Sequence, residues 1–232
     1  MSQTSDPEPG ELLAHGRGSD VYALDGHRVL RRYRGTSFAQ REARLMEYVR
    51  AHGYPIPAVH EVRPDALVLD RVHGPTMADA IVRRPWTFRA SMRMLAELHD
   101  RLHAIPAPDW LDLAPAGEGA CVVHLDLHPL NVLIGPEGPV VIDWTNAGRG
   151  RADVDIALTW LLLQTGAPDD NRAMQLIAAS VRKLTTGWFS RAADPSGAAV
   201  RDGLQPAVRY RLENPTLHER ERRAVSRLLD RA

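Results

Sequence analysis

The stretch that decides the fold is His124-Leu125-Asp126-Leu127-His128-Pro129-Leu130-Asn131. An apolar segment with a central turn follows it, and Asp143-Trp144 stands twelve residues after Asn131. Phosphoryl transfer requires a positioned hydroxyl and metal ions on the phosphates, which an aspartate in a tight loop and nearby oxygen ligands can supply. Magnesium prefers amide and carboxylate oxygens. The pattern therefore predicts a phosphoryl-transfer site with Asp126, Asn131 and Asp143.

Two alternative roles for this stretch stay open on the residues alone. Asp126 and Asn131 are also residue types that close turns. His124, Asp126 and His128 alternate in sequence, so on a strand they would share one face and could hold a transition metal, as in a metallohydrolase. Pro129 indicates that any strand ends before this position. A metallohydrolase site would also leave Asn131 and Asp143 without a role.

The chain before this stretch is rich in predicted strands. Residues 11–34 favour three antiparallel strands, with Asp25-Gly26 as a hairpin signal. Apolar residues at helical spacing predict a helix within residues 38–51. Two further strands are predicted at residues 59–62 and 67–69. Together these elements predict a small antiparallel-sheet lobe with one helix.

The chain after residue 73 has a different pattern. Apolar residues from Phe88 to Leu102 step by four and three, which predicts one face of a long helix. Ile156 to Leu163 is apolar on every side, which is typical of a buried helix. We therefore expect an α+β protein with a disordered lead-in at residues 1–10, a sheet lobe at 11–72 and a larger, mainly helical lobe at 73–232.

The central stretch resembles a known family. His124 to Asn131, followed by Val-Val-Ile-Asp-Trp ending at Trp144, is similar to the catalytic and metal-binding segments of aminoglycoside phosphotransferases. The resemblance covers about Leu12 to Leu163 and implies the two-lobed protein-kinase-like fold. It also implies that Asp126 is the catalytic base and that Asn131 and Asp143 bind Mg²⁺.

Two more residues take their expected roles from this resemblance. His128 stands where many protein kinases have a phosphate-contacting lysine, and a protonated His128 could donate to the transferred group. Asp155 matches a family aspartate that braces the catalytic loop. A simple helix N-cap would use the same residue type, so both roles stay open for Asp155.

A glycine-bearing turn between the first two predicted strands is the expected phosphate contact. Gly16 and Gly18 would let the backbone approach phosphates closely, and Ser19 would be the side-chain contact. The segment resembles the phosphate-covering loop of the family, although Val21 stands where protein kinases carry a third glycine. An ordinary hairpin turn would show the same two glycines.

The third predicted strand carries an arginine where a kinase fold places a lysine. That lysine contacts the α- and β-phosphates and is held by a glutamate on the next helix. Here the residues are Arg31 and Glu42, and Lys183 is the single lysine among 29 basic residues. Arginine keeps the charge but is longer and planar, so the exchange is not conservative. Arg31 therefore raises the alternative of a catalytically weak nucleotide-binding or regulatory module.

The segment Leu69 to Gly74 resembles the interlobe hinge whose backbone pairs with a purine base. We expect Asp70 and Val72 to lie at this nucleotide-binding segment. Any interlobe linker could show the same apolar strand ending in glycine.

The amino-acid composition limits the kinds of partner and the cell compartment that we expect for this protein. Acidic and basic residues balance at 29 each, so no net field favours nucleic acid or a membrane surface. The single cysteine, Cys121, fits a reducing compartment, and the polar start of the chain has no apolar signal segment, so we expect a cytoplasmic protein.

The expected activity is that of an ATP-dependent O-phosphotransferase that acts on a hydroxyl of a small metabolite or antibiotic. GTP is the alternative nucleotide, and Mg²⁺ is the expected metal. The acceptor itself and the oligomeric state are not readable from the sequence.

Overall fold

The computed structural model describes residues 10–16, 18–35, 39–115, 117–165, 184–214, 217 and 219–229. The predicted lead-in, apart from Gly10, lies outside the described residues. The chain forms two compact units. The first contains Met1–Gly74 and Leu133–Thr145, and the second contains Pro75–Val132 and Asn146–Ala232.

The first unit is built on an antiparallel sheet in the order β1-β2-β3-β5-β4. Its strands are β1 Leu12–His15, β2 Ser19–Ala23, β3 Arg28–Tyr33, β4 Val59–Val62 and β5 Ala66–Asp70. The turn between β2 and β3 closes on Asp25, whose Oδ1 accepts from the amides of His27 and Arg28, each at 2.7 Å. The sequence prediction of five antiparallel strands is confirmed.

One helix packs on this sheet, as predicted. Helix α1, Ala39–Ala51, buries Leu45, Met46 and Val49, which are at most 2% exposed. It stops before Gly53, whose positive φ of 76° is a conformation that favours glycine.

A second hairpin also belongs to the first unit. It consists of β7, Val132–Gly135, and β8, Gly138–Val141. The amide of Val141 donates to the carbonyl of Pro55 at 2.8 Å. The ring of Trp144 meets Tyr54 edge-on, with centroids 5.6 Å apart. These contacts place Leu133–Thr145 in the strand-rich unit, whereas the division predicted from the sequence placed everything after residue 72 in the helical lobe.

The second unit is mainly helical. Its helices are α2 Met77–Arg83, α3 Phe88–His103, α4 Ala152–Thr165, α5 (residues 184–193), α6 Ala198–Glu213 and α7 Glu219–Leu229. Short 3-10 helices cover Pro85–Thr87 and Pro129–Asn131. A two-stranded sheet pairs β6, Cys121–Val123, with β9, Gly148–Gly150.

Helix α4 is the centre of the core in the second unit. Val154, Ala157 and Leu161 are fully buried, which confirms the predicted apolar helix. Helix α6 approaches α4 so closely that a Cβ built on Gly203 would lie 2.2 Å from the carbonyl oxygen of Asp153. Among the described helices, none combines the length and the hydropathy that crossing a bilayer would require.

Candidate active site

The predicted catalytic segment begins where β6 ends at Val123. Leu125 has a φ of 59°, a left-handed conformation that is uncommon for a residue with a branched side chain. The segment then turns, and a 3-10 helix begins at Pro129. Since the strand has ended before His124, the alternation seen in sequence does not place side chains on one strand face.

Asp126 and Asn131 are brought together by this turn. The Asn131 side-chain amide donates to the Asp126 carbonyl oxygen at 2.8 Å and to Asp126 Oδ2 at 3.2 Å. His128 lies beside them, with its Nε2 3.6 Å from Asp126 Oδ1. The side chains of Asp126 and His128 are each 20% exposed, so both can be reached by a ligand.

Asp155 holds this segment from behind. It lies in the first turn of α4 and is fully buried. Its Oδ1 accepts from the amide of Leu125 at 2.8 Å, and its Oδ2 accepts from the amide of His124 at 3.1 Å. These bonds hold the left-handed turn in place and confirm the expected bracing role, whereas Asp155 is not the N-cap residue of the helix.

The charge of Asp155 is stabilised in spite of its burial. Burial alone would raise its pKa, but the hydrogen bond from His103 Nε2, at 2.9 Å, holds the pKa well below its usual value. A buried carboxylate of this kind persists only when its oxygens are satisfied. Asp155 is therefore an anion that fixes two backbone amides.

Tyr210 on α6 lies near Asp126. Burial, followed by the charge of Asp126, raises the pKa of Tyr210 to about 12. The phenol thus stays protonated beside the carboxylate.

In the first unit, Arg31 is the centre of a second polar cluster. Its Nη1 donates to Glu42 Oε1 at 2.5 Å, and its Nη2 pairs with Asp143 Oδ1. Its Nε donates to Ser19 Oγ at 2.9 Å. Strand register explains the arrangement, because Val21 opposes Arg31 and Ser19 opposes Tyr33 across β2 and β3, so these side chains share one face.

Glu42 is fully buried at the base of this cluster. It accepts from the Tyr33 hydroxyl at 2.8 Å, the Thr145 hydroxyl at 3.0 Å and the backbone amide of Trp144 at 3.1 Å. Burial opposes the charge of Arg31, but the carboxylates of Glu42 and Asp143 outweigh it and raise the pKa of Arg31. The ion pair predicted between Arg31 and Glu42 is confirmed.

Asp143 follows the hairpin in a left-handed conformation, with a φ of 66°. This turn directs its carboxylate to Arg31 and to the Thr145 hydroxyl, which lies 3.2 Å from Oδ1. The Asp143 side chain remains 43% exposed, so the carboxylate is open to a ligand as well.

Comparison with known protein families identifies the family of this chain. A model of the phosphotransferase enzyme family, APH, matches residues 77–193, which is half of the chain. The chain belongs to this family. No curated protein gives a significant match to the sequence of this phosphotransferase.

Solved structures share the fold of this phosphotransferase at low identity. The ternary complex of streptomycin, ATP and APH(2'')-IIa is 15% identical, with a TM-score of 0.60 over 96% of this chain and 92% of that one. Aminoglycoside phosphotransferase APH(4)-Ia is 16% identical, with a TM-score of 0.63 over 95% and 91%. Amicoumacin kinase hAmiN, in complex with AMP-PNP and Ca²⁺, is 14% identical, with a TM-score of 0.50 over 97% and 88%. The predicted protein-kinase-like fold is confirmed.

The glycine turn of this phosphotransferase is tight. The amide of Gly16 donates to the Ser19 carbonyl at 2.9 Å, and a Cβ on Gly16 would lie 2.9 Å from that oxygen. A Cβ on Gly18 would meet no atom within 4 Å, so Gly18 is not required by local packing. Its contact with a phosphate stays a prediction, as does that of Ser19, whose hydroxyl accepts from Arg31.

At the predicted hinge the Asp70 side chain has a local role. Asp70 Oδ2 accepts from the Ala58 amide at 2.9 Å, and Oδ1 lies 2.6 Å from His60 Nε2. The Asp70 amide donates to the Ala58 carbonyl at 3.0 Å. The Val72 side chain lies close to Gly135, since a Cβ built on Gly135 would be 3.3 Å from Val72 Cγ1. Binding of a purine base by this segment stays a prediction.

The metallohydrolase alternative does not fit the geometry. His124 is fully buried, whereas Asp126 and His128 are partly exposed. Among the His, Cys, Asp and Glu residues that the structure describes, the group of three placed to hold a metal ion does not include these residues. The cause is the end of β6 at Val123, which removes the alternation on which that interpretation depended.

Sequence reasoning missed two residues of the Arg31 cluster. Tyr33 follows Arg31 by two positions on one strand, so the alternation of strand side chains could have placed it on the same face. Thr145 follows Asp143 by two positions, and only the fold shows that its hydroxyl joins the cluster.

Proposed function

We propose that the protein is an ATP-dependent O-phosphotransferase that transfers a phosphoryl group to a hydroxyl of a small metabolite or antibiotic. The observation that carries this proposal is the braced turn in which Asn131 holds Asp126 while Asp155 fixes the preceding amides. This is the arrangement that a positioned general base requires. Membership of the phosphotransferase family supports the same conclusion.

Asp126 is the proposed base. Its carboxylate is partly exposed and its orientation is fixed by the Asn131 amide. It would accept a hydrogen bond from the acceptor hydroxyl and take the proton as the new oxygen–phosphorus bond forms. The bond between the γ-phosphorus and the oxygen that bridges it to the β-phosphate would break in the same step, and ADP would leave. His128, 3.6 Å from Asp126, is the proposed donor to the transferred group when it is protonated.

Asn131 and Asp143 are the proposed metal ligands. The donation of the Asn131 nitrogen to Asp126 leaves its amide oxygen as the group that can bind a cation. Asp143 supplies carboxylate oxygens, so the donor set fits Mg²⁺. When bound, the metal would neutralise phosphate charge.

The nucleotide is proposed to lie against the first unit. Arg31 would contact its phosphates, with Glu42 orienting the guanidinium, and the backbone at Gly16 and Gly18 would cover them. ATP is the proposed donor, with GTP as the alternative. The structural neighbours described as complexes with ATP or AMP-PNP support a purine nucleotide.

A catalytically weak regulatory module is not favoured by the Arg31 geometry. Arg31 donates to oxygens of four different side chains. A residue that had replaced a lysine by drift would not be expected to satisfy so many partners.

A thermal-shift screen of nucleotides with and without Mg²⁺ tests the proposal. We expect ATP to stabilise the protein only when the metal is present, because a specific ligand raises stability by mass action. A panel of sugars, amino alcohols and antibiotics then identifies the acceptor class. Phosphate transfer is measured on each compound that raises the melting temperature further.

Asp126→Asn provides the matched control. Asparagine keeps the volume and one acceptor oxygen, so we expect folding and nucleotide binding to remain and phosphate transfer to fall by at least about a hundredfold. Transfer at the wild-type rate would show that Asp126 is not the base. The absence of any nucleotide shift in wild-type protein would overturn the proposal as a whole.

A further inference from the structure

The second unit contains a buried cluster of titratable side chains, and only one of its members, the brace residue Asp155, has a role in the proposed transfer reaction. His99 and His103 lie one turn apart on α3, and Asp155 lies on α4. The side chains of His99 and Asp155 are fully buried, and that of His103 is 9% exposed. One nitrogen from each histidine and one Asp155 oxygen all lie within 4.8 Å of one another.

The hydrogen bonds of Thr159 fix the tautomer of His99. The Thr159 hydroxyl donates its single hydrogen to the Leu127 carbonyl at 2.7 Å. The 2.9 Å contact between Thr159 Oγ1 and His99 Nε2 must therefore use a hydrogen on the histidine. The His99 ring is fully buried, and a buried imidazole without a compensating charge is more stable in its neutral form. Its one proton is on Nε2, and Nδ1 carries a lone pair.

That lone pair faces a negative charge. His99 Nδ1 lies 3.5 Å from Asp155 Oδ2 and makes no hydrogen bond, although it is buried. A lone pair directed at a carboxylate in a low-dielectric interior is unfavourable unless a cation lies between the two. The His99 lone pair and the Asp155 carboxylate are both electron donors that face each other, which is the arrangement expected around a cation.

The separations of Asp155 Oδ2 from the two histidine nitrogens lie on either side of the ligand spacing of a small transition-metal ion. Asp155 Oδ2 lies 3.5 Å from His99 Nδ1 and 2.9 Å from His103 Nε2. Ligands at about 2.0–2.1 Å from a tetrahedral zinc ion are roughly 3.3 Å apart. We propose that His99 Nδ1, His103 Nε2 and Asp155 Oδ2 bind a divalent transition-metal ion, with Zn²⁺ as the best fit.

The surroundings meet two requirements of such a site. A metal-bound histidine usually donates its other N–H to an oxygen, and His99 Nε2 does so to Thr159. His103, which hydrogen-bonds Asp155 through Nε2, would bind the ion with that nitrogen and carry its proton on Nδ1 instead. His103 also lines a recess of about 620 Å³, so one of the three proposed ligands lies next to open space.

The ion would act on structure, and it is distinct from the metal proposed for the nucleotide. It would join α3 to α4 through the carboxylate that holds the His124 and Leu125 amides. Occupancy would therefore stiffen the turn that carries the catalytic segment. Because the ligands include two imidazoles, Mg²⁺ is a poor occupant.

Metal titration of the full-length protein tests this site independently of nucleotide binding. After treatment with a chelator, the protein is titrated with Zn²⁺ against a chromophoric competitor, and with Co²⁺ to record its visible spectrum. We expect one tight Zn²⁺ per chain and the intense absorption of four-coordinate Co²⁺. His99→Gln and His103→Gln should each weaken binding roughly 10- to 100-fold. His52→Gln, which changes an exposed histidine directly after α1, should not.

A further variant leaves all three ligands in place. Thr159→Val removes the oxygen that fixes the His99 tautomer, so we expect Zn²⁺ binding to weaken by about tenfold. Far-UV circular dichroism confirms the fold of each variant. A six-coordinate Co²⁺ spectrum in wild-type protein, or Zn²⁺ binding that is equal in His99→Gln and His52→Gln, would overturn the proposal. The wild-type spectrum decides the question even if the His99 variant does not fold.

Discussion

Arg31 on β3 pairs with Asp143, the residue that follows the β7–β8 hairpin. The same guanidinium also donates to Glu42 on α1 and to Ser19 on β2. One side chain therefore connects two strands of the sheet, the helix and the hairpin of the first unit. A planar group with five N–H donors can make these contacts together, whereas a lysine ammonium has three donors at one point.

Arg31→Lys tests this connection. We expect the variant to lose about 1–3 kcal/mol of unfolding free energy, because one or two hydrogen bonds to buried partners are not replaced. Urea unfolding measures the change. Arg32→Lys is the matched control, since Arg32 faces the opposite side of β3 and its side chain is 45% exposed. Greater stability and faster ATP turnover in Arg31→Lys would indicate a degraded lysine site.

Asp155→Asn tests the brace behind the catalytic segment. Asparagine keeps one acceptor oxygen but turns an NH₂ group towards a backbone amide or a histidine, so we expect a loss of about 3 kcal/mol. Asp153→Asn, on the same turn of α4, should change stability by less than about 1 kcal/mol because its ion pair with Arg151 lies at the surface. Equal urea midpoints for the two variants would contradict the bracing role.

The raised pKa of Tyr210 predicts that the folded protein becomes less stable at alkaline pH. Its pKa is raised to about 12 from an ordinary value of 10.0, by burial and then by Asp126. Above pH 10.0 the unfolded chain releases this proton while the folded protein keeps it. The contribution of the Tyr210 phenol to the free energy of unfolding is therefore fully present below pH 10.0, the pKa in the unfolded chain, and is lost as the pH rises towards about 12.

Unfolding free energies across that alkaline range measure the effect. In Tyr210→Phe the unfolding free energy should fall less over this range, by up to about 2 kcal/mol. In Asp126→Asn the phenol should ionise at a lower pH, which its ultraviolet absorbance reports. An unchanged phenolate titration in Asp126→Asn would show that Asp126 does not influence Tyr210.

Gly203→Ala tests the close approach of α6 to α4. The added methyl group would lie 2.2 Å from the carbonyl oxygen of Asp153, so one backbone must move. We expect a loss of about 1–3 kcal/mol, as for other overpacked interiors. Gly187→Ala in α5 is the control, because a Cβ there meets no atom within 4 Å. It should gain up to about 1 kcal/mol from helix propensity, and a loss as large as that of Gly203→Ala would indicate a general helix effect.

Local patterns were sufficient to predict most of the elements. The Asp25 turn carries its own hydrogen-bond acceptors, so the β2–β3 hairpin could be recognised without tertiary information. Helix α4 is recognisable from the apolar run between Ile156 and Leu163, which only Thr159 interrupts. The pairing of Arg31 with Glu42 followed from the family resemblance and from their places on a strand and the next helix.

Contacts that depend on distant packing could not be predicted in the same way. The hairpin before Asp143 belongs to the first unit because Val141 and Trp144 meet Pro55 and Tyr54, which are far from them in sequence. Nothing in the hairpin residues themselves specifies those partners. The His99, His103 and Asp155 cluster likewise joins two helices about fifty residues apart, and its polarity depends on a hydrogen bond of Thr159.

The placement of Leu133–Thr145 in the first unit has a consequence for dissecting the molecule. A protease cut or a stop codon after Gly74 would yield an amino-terminal fragment without Val141 and Trp144, which contact Pro55 and Tyr54. The complementary fragment would retain the β7–β8 hairpin with its apolar side chains uncovered. The two units are thus interleaved along the polypeptide, and neither can be expressed as a continuous stretch of chain that contains all of its own parts.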